Sequence, residues 1–161
     1  MKCTKILGYV LFALLYISTL PYAAEAGNEK IYPKQFKPVD PSNPYNYQTP
    51  GNLRGDGGLV EYTAVVNLPA GKTVTRLVGF RGSPSTTGST EFYLFRSRFG
   101  VSDQPVQTMA HISATGFTGA GADAYEDTSI SYPRVNSHFS YYVLVEIGDN
   151  NGVTGVKVVY E

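Results

Sequence analysis

The chain has 161 residues, with 13 basic and 13 acidic side chains that leave no net formal charge. With no block of Lys and Arg, it lacks the continuous positive track by which proteins follow a phosphate backbone, which excludes a nucleic-acid partner. Cys3 is the only cysteine, so an internal disulfide, a Cys-rich metal site and a Cys-based redox pair are all excluded.

The first segment reads as a secretory signal. Lys2 and Lys5 give a short basic start, residues 6–20 are almost unbrokenly apolar, Pro21 ends the run, and Ala24-Glu25-Ala26 places small residues around a cleavage point. The apolar run is shorter than the roughly 20 residues a spanning helix needs. A cleaved signal peptide over residues 1–26 is therefore expected, giving a secreted (extracellular or periplasmic) chain that has no cysteine and no stable membrane anchor.

Residues 27–58 carry Pro33, Pro38, Pro41, Pro44 and Pro50, interleaved with Tyr32, Phe36, Tyr45 and Tyr47. Proline at this density forbids a helix and disfavours central strands, so an extended, polyproline-like arm or linker is expected. Aromatic rings gain by covering a surface. Two fates stay open, a free spacer or an arm docked on its own or a neighbouring domain, and residues 31–47 are the candidate for self-association. Arg54-Gly55-Asp56 is the tripeptide that integrin-binding proteins display, and turn chemistry in a Gly-rich loop accounts for it equally well.

Residues 59–161 alternate β-rich runs with turn signals. A strand is expected over residues 60–68, then a tight turn at Pro69-Ala70-Gly71-Lys72 and a return strand over residues 73–81. Residues 82–88 read as a loop, and residues 91–99 and 106–114 as strands. A Gly-rich loop follows at 116–121, then a weaker strand at 125–131. Residues 139–147 (F-S-Y-Y-V-L-V-E-I) give the strongest alternation, with Phe139, Tyr141, Val143, Val145 and Ile147 on one face and Ser140, Tyr142, Leu144 and Glu146 on the other. Gly148-Asp149-Asn150-Asn151-Gly152 reads as a hairpin turn before a last strand at 153–160. Seven to eight strands with no helical period predict an all-β fold, a single antiparallel β-sandwich of jelly-roll-like or Ig-like type.

Several motifs in this domain, Leu68-Pro69-Ala70-Gly71-Lys72-Thr73-Val74-Thr75, Tyr93-Leu94-Phe95-Arg96, Met109-Ala110-His111-Ile112-Ser113 and Ser140-Tyr141-Tyr142-Val143-Leu144-Val145, resemble a group of secreted bacterial β-sandwich proteins of unassigned function. The resemblance spans residues 59–161 and implies the sandwich fold. It implies no catalytic or binding residues, and Val135-Asn136 stands where that group often has Asp-Asn.

Catalytic chemistry is poorly provided for. His111 and His138 are the only histidines. Ser137 and His138 are sequence neighbours, which in a strand point to opposite faces, so they make no nucleophile–base pair. Glu61, Glu91, Glu146 and Glu126-Asp127 could supply the two carboxylates of a glycosidase only if the fold brings two of them together. Hard oxygen ligands for a calcium ion are available at Asp123, Glu126 and Asp127, and at Asp149 and Asn151. Tyr125, Tyr132 and Tyr142 are candidate platforms for a sugar ring, with packing at the edge of the core as the alternative. The expected function is a secreted, non-catalytic binding module for a glycan or cell-surface component. The alternatives are a structural, self-assembling surface protein that uses its N-terminal arm and, with least support, a secreted hydrolase.

Overall fold

The computed structural model describes residues 26–43, 47–48 (backbone only), 51–55, 58–82, 88–101, 105–115, 123–149 and 151–161. The expected signal segment up to residue 25, Asp56 of the Arg-Gly-Asp tripeptide, the Gly-rich loop at 116–121 and Asn150 lie outside these residues. Among those described, no helix is long and apolar enough to cross a membrane.

Among the described residues, eleven strands form two antiparallel sheets. They are β1 (Gly27–Ile31), β2 (Lys37–Pro38), β3 (Tyr47–Gln48), β4 (Asn52–Arg54), β5 (Val60–Val66), β6 (Val74–Gly82), β7 (Thr90–Arg98), β8 (Gln107–Ala114), β9 (Asp123–Asp127), β10 (Phe139–Ile147) and β11 (Gly152–Tyr160). One sheet runs β3-β4-β11-β6-β9, with β1 also paired to β11; the other runs β2-β5-β10-β7-β8. The alternating pattern that predicts these strands also sets their burial. Along β10, Tyr141, Val143, Val145 and Ile147 are buried, and the residues between them face outward. The inner faces of both sheets close over one core that includes Tyr62, Leu77, Phe92, Leu94, Met109, Val143 and Val158. Phe92 of one sheet lies so close to Gly79 of the other that a Cβ there would stand 2.7 Å from its ring.

The chain changes sheet at almost every connection, and this corrects the hairpins expected from the turn signals. β5 pairs with β2 and β10, not with β6, and β10 pairs with β5 and β7, not with β11. Pro69-to-Lys72 and the Gly148-to-Asn151 region are therefore crossings between sheets about 10 Å apart. A jelly roll is built in this way. The weaker strand expected at 125–131 is β9, Asp123–Asp127. After it the chain turns irregular toward Tyr132, whose backbone has φ of 51°.

Residues 27–58 supply strands to both sheets. β1 pairs with the C-terminal half of β11 from Gly27↔Tyr160 to Ile31↔Val156, β4 pairs with the N-terminal half of β11, and β2 pairs with β5. Ile31 and Phe36 are core residues, each 1% exposed. The prolines fit because Pro33 opens a 3₁₀ turn (Pro33–Gln35), where its missing N–H costs nothing, and Pro38 lies in an edge strand.

A buried arginine closes one end of the sandwich. Arg81, 1% exposed, donates from Nε and Nη2 to Asn151 Oδ1, from Nη1 to the Ala114 carbonyl and from Nη2 to the Gly88 carbonyl. These bonds tie β6 to the segment before β7, the end of β8 and the crossing before β11.

Candidate ligand-binding face

The outer face of the second sheet carries a dense set of aromatic and acidic side chains. Directly opposed residues in antiparallel strands have Cβ atoms about 4.5–5.5 Å apart, so the strand register reads as rows across this face. One row is Glu61, Glu146 and Glu91, from Glu146↔Glu61 and Glu146↔Glu91, and Ser113 continues it opposite Glu91. The next is Thr63, Leu144, Tyr93 and His111; the third is Val65, Tyr142, Phe95 and Thr108.

Within these rows the rings touch. Tyr93 stacks on Phe95 with centroids 5.4 Å apart and on His111 at 4.5 Å, and Phe95 meets Tyr142 at 5.4 Å with a 42° tilt. Glu91 ties the rings to the acidic row. His111 Nε2 lies 2.9 Å from its Oε2 and Ser113 Oγ donates to its Oε1 at 2.8 Å. A carboxylate can only accept, so Nε2 carries the proton in that bond.

The electrostatics follow from this crowding. Partial burial pushes the Glu146 carboxyl above its ordinary range, and the negative Glu61 and Glu91 on either side push it further, while His111 pulls it back. Tyr93 is also raised, by burial first and then by Glu146 and Glu91. Burial alone raises Tyr142.

Past Tyr142 the face leads into a groove of about 580 Å³ at the end of the sandwich. Val65, Ser140, Asn136 and Leu68 are among the residues that line it. Val65 pairs with Tyr142 and is 71% exposed, so face and groove are continuous.

The three tyrosines singled out as platforms do not share a surface. Tyr142 stands on this outer face. Tyr125 lies on β9 opposite Gly79 and packs against the core. Tyr132 is exposed beside Arg96, the residue after Phe95 on β7, with its ring 4.1 Å from the guanidinium. The residues picked for calcium are also dispersed. Asp123 and Asp127 share one side of β9 with Tyr125, whereas Glu126 faces outward and pairs with Arg76 at 3.1 Å. Asp127 accepts the backbone N–H groups of His111 and Ser129. Asp149 accepts the N–H of Gly58, and Asn151 is wholly buried against Arg81. Among the described residues, no three His, Cys, Asp or Glu side chains gather closely enough to hold a metal ion.

The sequence alone does not join Tyr93, Phe95 and Glu91 into a site, although Glu61, Glu91 and Glu146 are each visible in it. The signal for the cluster is the alternation in residues 91–99, which puts Glu91, Tyr93 and Phe95 on one side.

No protein-family model matches the sequence, and no curated protein matches it. Several solved structures are similar in fold. The CBM36-1 domain of a multidomain xylanase from the hindgut metagenome of Trinervitermes trinervoides gives a TM-score of 0.49 at 12% identity, over 82% of this chain and 96% of that one. The carbohydrate binding module CBM6cm-2 from Cellvibrio mixtus lichenase 5A, solved with cellotriose, gives 0.47 at 12% identity, over 83% and 96%. A family two carbohydrate esterase from Cellvibrio japonicus gives 0.44 at 10% identity, over 84% of this chain and 34% of that one. Likenesses of this size assign neither a family nor a ligand to the chain.

Proposed function

We propose that this chain is a non-catalytic glycan-binding module that takes a neutral oligosaccharide across the outer face of β5, β10, β7 and β8. One observation carries this reading: three touching aromatic rings, Tyr93, Phe95 and Tyr142, lie in register beside a row of carboxylates on adjacent strands. Sugars are amphipathic in the matching sense. Their C–H faces pack on aromatic rings and their hydroxyls donate to carboxylates, and a site that mixes apolar area with a few placed polar groups selects such a ligand. Rigid strands hold these groups, so little conformational freedom remains to be lost on binding. The groove beyond Tyr142 offers room for further sugar units in line with the strands.

Glu61, Glu146 and Glu91 do come together, as a glycosidase would need for two of them. They stand side by side on neighbouring strands, as one acidic row on one side of the sheet. The touching rings beside that row carry the binding reading, and release of shorter sugars would be the sign of turnover. Export by the N-terminal segment belongs to the same proposal, because polymeric glycans are met outside the cell.

Calorimetric titration of the mature chain with cellotriose and β-1,4-galactotriose tests the reading, together with Tyr93→Ala and Tyr142→Ala. Binding that both substitutions weaken supports it. Binding untouched by either, or release of shorter sugars during the titration, contradicts it.

A further inference from the structure

At the opposite end of the second sheet from the glutamate row, a guanidinium is built into a fixed position. Arg96, on β7, lies between two rings, with its Cζ 4.1 Å from the centroid of Tyr132 and 4.5 Å from that of Phe139. Its Nε donates to Gln107 Oε1 at 2.7 Å. The two terminal nitrogens make no hydrogen bond to the described residues and are not among the buried polar atoms left without a partner, so they reach solvent. A guanidinium packed against two rings and bonded at Nε has lost much of its rotamer freedom, and its terminal nitrogens form the two-pronged fork that matches a carboxylate.

The surroundings fit that ligand. Gln107 and Phe139, which hold Arg96, also line a cavity of about 310 Å³ together with Arg98, Pro105, Asn136 and His138, so the guanidinium lies beside that cavity rather than in its lining. Arg98 is exposed and sits directly opposite Phe139 in the sheet. Among the described residues, no Asp or Glu lines the cavity. The glutamate row is far away. Glu91 and Arg98 are seven residues apart on one strand, roughly 23 Å at about 3.3 Å per residue, more than two Debye lengths at physiological salt. The backbone of Tyr132 is a second sign of a constructed site. A bulky residue with φ of 51° is strained, and here the strained residue supplies one wall of the clamp.

From these observations we infer a second binding site, at the end of the sandwich formed by β7, β8 and the start of β10, that takes a carboxylate-bearing ligand on Arg96 and Arg98. The carboxylate accepts from the Arg96 fork beside the cavity, and Arg98 adds charge from the cavity lining. This site borders the groove beyond Tyr142, sharing Asn136 and Phe139 with its lining, but its preference for a carboxylate does not rest on the sheet-face reading.

NMR titration of the mature chain with sodium glucuronate, and in parallel with glucose as its neutral counterpart, tests the inference. Glucuronate should shift the amide signals of Gln107 and His138, and glucose should not. Arg96→Gln and Arg98→Gln should each weaken glucuronate about tenfold or more, and Arg96→Lys, which keeps the charge but loses the fork, should weaken it several-fold. Arg98 is exposed, so its substitution reads the site even if the Arg96 variants fold poorly. Tyr142→Ala should leave glucuronate binding unchanged and, if the sheet-face reading holds, weaken only the neutral trisaccharides. Equal shifts with glucose and glucuronate, no shifts at all, or glucuronate binding that survives both Arg96→Gln and Arg98→Gln would overturn the inference.

Discussion

The rings of Tyr93 and His111 lie face to face across β7 and β8, with centroids 4.5 Å apart and planes 9° from parallel. Glu91 holds the same imidazole at Nε2, so this one contact joins the aromatic middle of the sheet to its acidic end. Removing one member should loosen both. His111→Ala should lower oligosaccharide affinity several-fold while changing stability by less than about 1 kcal/mol, because the ring is partly exposed. Paired titration and thermal melts check this.

Truncating a ring that carries the ligand should cost about 1–2 kcal/mol, roughly tenfold in affinity, for Tyr93→Ala and for Tyr142→Ala. Tyr125→Ala should leave affinity unchanged and cost stability instead, since Tyr125 packs on the core. Calorimetry of the three variants beside their melting curves separates the two outcomes.

The pH dependence of Glu146 has a defined sign. Its carboxyl is raised above the ordinary value of 4.5 by burial and by Glu61 and Glu91, so the folded chain holds that proton to higher pH than the unfolded chain does. Its contribution to stability is then most favourable below about 4.5, falls as pH rises toward the folded value, and stays unfavourable at neutral pH. Glu146→Gln should raise the melting temperature at pH 7 and raise it less, or not at all, at pH 4. Melts at the two pH values are the check.

Tyr132 combines a strained backbone with a useful ring. Replacement by Ala keeps most of the backbone cost and loses the ring, whereas replacement by Gly loses the ring and relieves the strain. Tyr132→Gly should therefore be more stable than Tyr132→Ala by about 1 kcal/mol. Chemical denaturation of the two variants measures the difference.

Phe36 lies within the Pro-rich segment yet is 1% exposed, and Ile31 beside it is equally buried. Phe36→Ala should cost about 3–5 kcal/mol. Removing residues 27–36 altogether should expose the edge of β11 and leave a domain that melts much earlier or fails to fold. A truncated chain that melts with the full one would count against the packing described.

The long strands were legible in the sequence because period-two alternation is a local property, and the outward position of Tyr142 and Glu146 followed from it directly. Sheet membership was not. Pro69-Ala70-Gly71-Lys72 reads alike whether the chain returns beside itself or crosses to the other sheet, and only the long-range pairing of β5 with β10 decides. In the first segment, prolines at 33 and 38 obscured β1 and β2, whose pairing partners lie more than 20 residues further along the chain. The site was legible in its parts. Glu61, Glu91 and Glu146 were each visible, but their common row depends on cross-strand register. Tyr125 read like Tyr142 because its inward direction is set by β9 pairing with β6. Asn151 read as a turn residue or a calcium ligand, and in the fold it is the acceptor for Arg81, a buried charge that no local pattern marks.

Amide chemical-shift mapping with a neutral β-1,4-linked trisaccharide tests most directly whether the outer face of the second sheet binds a glycan. The expected result is a continuous set of perturbed residues from Tyr93 and Phe95 through Tyr142 to Ser140, saturating with concentration and weakened in Tyr142→Ala. Perturbations confined to other surfaces, or none at millimolar sugar across a panel of β-linked trisaccharides, would contradict it.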